Sequence, residues 1–156
     1  NKIMPASLNN KKPSLLVSMC KTQCPRCRRG KMFTDPNPYH LKHFMKMNHK
    51  CGVCGQHFDL EVGFYYGTGY VSYGLAIAIS VATLILWAVT IGISVHDSRV
   101  LYWLIFNGLL LVVLQPYLMR LARTMWLSFF VGYDPQWREN PAEIPERIND
   151  SIKNNW

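Results

Sequence analysis

Two long stretches of this 156-residue chain, Tyr70 to Val95 and Val100 to Met119, contain no Asp, Glu, Lys or Arg. A plain soluble globule is excluded by them, because 156 residues leave no room for a second domain large enough to cover two such runs. Acidic residues are scarce throughout, nine against 17 Lys and Arg, and their absence from both runs removes paired intramembrane acids of the proton-relay kind. There is no phosphate-binding glycine loop and no Ser/His/Asp set, so nothing points to a reaction carried by this chain. Disorder is excluded by what is abundant: seven Phe, eight Tyr and five Trp are more apolar surface than a solvated polymer carries.

About 20 apolar residues cross a bilayer, and Tyr70 to Val95 would extend roughly 39 Å as a helix. Val100 to Met119 is just long enough. The expected fold is an α-helical membrane protein with a two-span hairpin at 63–119 (spans at about 70–95 and 100–119). A basic start followed by about 7 to 15 apolar residues and a cleavage site is missing, so the first span is expected to act as its own insertion signal. Eleven of the Lys and Arg precede it, against Asp35, Asp59 and Glu61. Only Asp97 and Arg99 lie between the spans. The positive-inside rule therefore places both termini in the cytoplasm, with the two spans crossing the cytoplasmic membrane. Thiols that must stay reduced agree with that side.

Tyr65, Tyr66, Tyr70 and Tyr73 gather where the first span begins, and Trp87, Tyr102 and Trp103 near its far side, as headgroup-level aromatics do. Gly63, Gly67 and Gly74 lay small residues along one helical face suited to close packing; the alternative is a turn at the membrane surface around Gly67. Asn107 and Gln115 are polar groups at membrane depth that point roughly the same way, toward the first span or another subunit. Beyond Pro116, a separate interfacial helix at 120–133 is expected, with Arg120, Arg123 and Trp126 against lipid or a partner. A cytoplasmic tail at 134–156 follows.

Four of the five cysteines form two C-x-x-C pairs, Cys24/Cys27 and Cys51/Cys54, separated by 23 residues. Two such knuckles facing each other complete a tetrahedron of thiolates, which leaves no open position and so predicts structural zinc rather than a hydrolytic centre. Iron on the same four thiolates remains an alternative. Cys20 is read as a non-ligand, and His40, His43, His49 and His57 as loop histidines. Met32-Phe33 and Met45 to Met47 suggest half-buried strands, hence a small β zinc ribbon at 20–62 after an N-terminal arm at 1–19. Arg26, Arg28 and Arg29 make a basic patch; an anionic leaflet accounts for it without nucleic acid, which is not an expected partner.

The run Cys24-Pro25-Arg26-Cys27-Arg28-x-Gly30-Lys31-Met32-Phe33, then Cys51-x-x-Cys54-Gly55-x-x-Phe58, then Gly63-Phe64-Tyr65-Tyr66-Gly67 entering a two-span hairpin, resembles the bacterial domain-of-unknown-function 983 family. Tyr70-Val71-Ser72-Tyr73 and Tyr133-Asp134-Pro135 are similar to members from the Bacteroidetes. The resemblance covers residues 15 to 137. Genes of that family are placed in several bacteria beside those for cytochrome c oxidase and its assembly factors. The resemblance therefore implies a non-catalytic accessory or assembly subunit of a respiratory membrane complex, with membrane lipids and larger integral subunits as partners and no small-molecule substrate. A membrane-tethered zinc ribbon that recruits a soluble protein, and a thiol- or metal-handling enzyme, are the alternatives.

Overall fold

The computed structural model describes residues 13–61, 63–92, 97–142 and 144. The outer part of the N-terminal arm, the end of the first expected span at Val95 and most of the tail lie outside them. Helix α1 is Leu15–Cys20, a 3-10 turn is Phe64–Gly67, α2 is Thr68–Thr90 and α3 is Arg99–Phe130. Helices α2 and α3 pack against each other as an antiparallel hairpin. Each is long and apolar enough to cross a membrane. In their most apolar segments hardly any side chain is fully buried by the rest of the chain, which leaves broad apolar faces for lipid or for other apolar helices.

The hairpin is stitched at its centre by polar groups. Asn107 donates from Nδ2 to Ser80 Oγ at 3.0 Å and accepts from Thr83 Oγ1 at 3.0 Å. Along helices this apolar, each polar group has its best partner on the facing helix. Gln115 is exposed on α3 and does not share this seam. Eight residues turn a helix roughly 80° past two full turns, which carries Gln115 off the contact line. Gly74 likewise faces open space, so of the expected packing glycines it contributes nothing to the hairpin. Gly63 serves a backbone turn with φ +78 against the Tyr66 ring, and Gly67 makes the close approach to α3, where a Cβ would overlap the Trp126 ring.

The expected break after residue 119 does not occur. Helix α3 runs through Pro116 without interruption for 32 residues, about 48 Å, against 23 for α2. Its last three turns overhang α2 and are the buried part of the helix, with Leu118, Arg120, Ala122, Arg123, Thr124 and Leu127 all covered. Residues 120–130 stay in line because the cysteine module offers them a docking surface. Leu127 enters the module's core with Cys24, Cys27, Met32, Phe33, Cys51 and Phe58, and Trp126 Nε1 donates to Phe64 O at 2.8 Å.

No strand forms among the described residues. Gln23 pairs with Lys31, Phe33 with Met47 and Lys50 with His57, each as an isolated antiparallel bridge. The expected β ladder fails for a local reason: Pro36 and Pro38 have no N–H to donate, and the carbonyls around them are taken by a side chain of α3.

Candidate metal centre

Each C-x-x-C pair folds as the same knuckle. Arg28 N donates to Cys24 O at 2.7 Å and Gly55 N to Cys51 O at 2.9 Å, so both chains reverse four residues after the first thiol. The residue after each second thiol is left-handed, Arg28 at φ 54 and Gly55 at φ 75. Glycine adopts that conformation freely; arginine does so at a cost of about 1 kcal/mol, offset here by its contacts. A return bond then closes each turn, Cys24 N to Gly30 O and Cys51 N to Gln56 O, both at 2.8 Å. Gly30 has its own reason to be glycine, since a Cβ there would overlap Cys51 Sγ.

The knuckles face each other and bring Cys24, Cys27, Cys51 and Cys54 together, with their four Sγ atoms all within 4.8 Å. Cys24 Sγ lies 3.8 Å from Cys54 Sγ and Cys27 Sγ 3.7 Å from Cys51 Sγ. A tetrahedron of thiolates about 2.3 Å from a central ion has edges of about 3.8 Å, so the donor set fits a zinc-sized ion. It does not fit disulfides, and all five cysteines are free thiols. The thiols share protons among themselves. Hydrogen bonding from Cys24 pushes Cys27 and Cys51 down, Cys51 to about 7, while Cys24 is pushed up by its bonds to Cys27 and Cys51 and by burial. Cys54 is likewise pushed up, so binding a metal to all four thiols must displace protons from the cluster. Cys20 is exposed and outside it; its carbonyl accepts from Tyr117 OH at 3.0 Å.

Of the arginines expected on a lipid or partner surface, Arg26, Arg120 and Arg123 are buried inside the chain instead, which corrects the sequence reading at those three positions. Arg120 is 2% exposed and donates to three backbone carbonyls, Phe44 O at 2.6 Å, Asp35 O at 2.9 Å and Asn37 O at 3.0 Å, with its guanidinium over the Phe33 ring. One turn on, Arg123 reaches Met45 O at 3.4 Å and lies over Tyr65. Arg26, in the first knuckle, pairs with Asp134 at 3.1 Å and bonds Asn140 O and Pro141 O, folding the start of the tail back over the metal site. Arg28 donates to Pro13 O at 2.9 Å and stacks on Tyr133. Arg29 is half-buried. A charge run and a bundle of buried carbonyls look identical in sequence from the arginine side; what could have flagged Arg120 and Arg123 is their i, i+3 spacing in an otherwise apolar helix.

Partners of Asp134 set its ionisation. Burial opposes its charge, but the Asn140 side chain, Gln136 N–H and Arg26 together hold the carboxyl below its ordinary range.

The family model described as protein of unknown function (DUF983) matches residues 41–130. No curated protein and no solved structure matches the chain. The matched segment holds the second knuckle, both long helices and the two arginines of α3, while the first knuckle precedes it. With more than half of its length matched, and with a four-cysteine cluster beside two helices able to span a membrane, the chain belongs to the DUF983 family.

Proposed function

We propose that this protein is a non-catalytic accessory or assembly subunit of a respiratory membrane complex, with a cytochrome c oxidase or its supercomplex as host. Structural zinc on Cys24, Cys27, Cys51 and Cys54 folds a ribbon-like cytoplasmic module, α2 and α3 cross the inner membrane, and both termini lie in the cytoplasm. The observation that carries the reading is the junction between the parts. A closed four-thiolate cluster shares its core with the overhanging end of α3 through Leu127, and Arg120 and Arg123 fasten the module to that same helix. Four protein donors leave no coordination position for a substrate, which suits a structural ion. The two long helices keep broad apolar faces uncovered, which suits contact with larger integral subunits. The oxidase host follows from the family's gene placement.

The recruiting alternative is weakened because Arg26 and Arg28, two of the three arginines of its basic patch, are already engaged within the chain.

Purification through an affinity tag in mild detergent, with mass spectrometry, haem spectra and metal analysis of the eluate, tests the proposal. Stoichiometric oxidase subunits with one zinc per chain are expected. A lone chain, or one accompanied only by soluble proteins, sinks it.

A further inference from the structure

The hairpin register puts parts of the cysteine module beside the helices rather than beyond them. Asn107 faces Ser80 and Thr83, and Trp126 faces Phe64. Tyr117, between them on α3, is thus level with the Tyr70–Tyr73 turn of α2. Its hydroxyl donates to Cys20 O at 3.0 Å, which fixes the end of α1 at that height. Arg120, one turn on, holds Asp35 O, Asn37 O and Phe44 O, which fixes both ends of the 35–44 loop just past Met119, where the uncharged run ends. Long side chains on a helix lean toward its N-terminus, so both ties reach toward the apolar segment.

Both segments expose large apolar side chains, on the loop alongside the polar Asn37, His40 and His43. Leu16 is 71% exposed and Val17 51% on α1, and Leu41 is 70% exposed and Tyr39 52% on the loop. Each segment also carries an exposed lysine beside them, Lys21 and Lys42. At the same height α2 presents Tyr70 and Tyr73, exposed by 84% and 68%. Apolar side chains, tyrosines and lysines at one level are the composition of a protein surface resting in a headgroup layer.

We propose that α1 and the 35–44 loop form a second, monotopic contact with the bilayer that α2 and α3 cross, with Leu16 and Leu41 dipping below the headgroups and Lys21 and Lys42 meeting anionic lipid. The module then sits on the membrane as a collar around the helix pair. This rests on the membrane-spanning reading of α2 and α3.

The test uses the full chain in vesicles of phosphatidylcholine with or without phosphatidylglycerol. A photoreactive benzoylphenylalanine replaces Leu16 or Leu41, with Ile85 in α2 as the membrane control and Gln136 as the water control, and lipid adducts are read by mass. Adducts at Leu16 and Leu41 comparable to Ile85 and several-fold above Gln136 are expected, with a gain from phosphatidylglycerol that is lost in a Lys21→Glu, Lys42→Glu variant. Adducts at Ile85 alone overturn the collar and leave the spanning reading standing. Absence of adducts at Ile85 overturns both. Cross-links from Leu16 or Leu41 to protein, or a yield indifferent to phosphatidylglycerol, overturn the assignment to anionic lipid.

Discussion

Replacing Arg120 by Ala should free the 35–44 loop while leaving the metal cluster and the hairpin intact. The side chain is 2% exposed and makes three bonds from a charged donor to backbone carbonyls of that loop. Such bonds contribute about 1.5 kcal/mol each at the low end, but a released loop reaches water, which re-solvates the carbonyls, so the net loss is about 3 kcal/mol. That corresponds to a roughly hundredfold larger open population of the loop. Trypsin cleavage after Lys42, followed by mass spectrometry on detergent-solubilised protein, reads that population when reclosing outpaces cleavage. Arg120→Lys keeps the charge but cannot bridge three carbonyls fixed by a planar fork, and about a tenfold increase is expected. Arg138→Ala, at an exposed position, should change nothing. Equal cleavage of wild type and Arg120→Ala, with zinc retained and helical circular dichroism unchanged, would refute the clamp.

Metal removal should separate the two halves of the protein. Ligation is worth about 10–16 kcal/mol in small zinc domains, so a strong chelator, or Cys51→Ser, is expected to unfold residues 20–61 while α2 and α3 keep their helical circular dichroism; retention of compact module signals in metal-free protein would count against a structural ion. Asn107→Leu removes the central stitch of the hairpin and should cost about 1 kcal/mol in denaturant unfolding from detergent, a loss that Ser80→Ala with Thr83→Val should not deepen by the same amount again. The Asp134 carboxyl is held below its ordinary range in the folded chain, so its contribution is fully present above the unfolded carboxylate pKa and is lost as pH falls through the depressed folded value. Hydrogen exchange at residues 134–140 should therefore rise only in acid, and Asp134→Asn should raise it at neutral pH; protection unchanged in that variant would show that the tie to Arg26 does not hold the tail.

Much of the outline was determined by local chemistry and could be read without coordinates. Runs of 20 or more uncharged apolar residues and two C-x-x-C pairs each have few stable uses, so two helices long and apolar enough to span a membrane and a four-cysteine cluster follow from composition and spacing alone. The polar pair at Ser80 and Thr83 was invisible for the opposite reason: small hydroxyls are common in apolar helices, and only the register across the hairpin makes Asn107 their partner. Tertiary structure also decided what the arginines do. Arg120 and Arg123 carry the same charge whether they meet phosphates or carbonyls, and the choice was made by a loop that two prolines had left with unpaired backbone oxygens. The continuity of α3 past Met119 was settled in the same way, because helix propensity is indifferent there and the burial of Leu127 in a cysteine-lined core, formed by residues 69 or more positions away, is not.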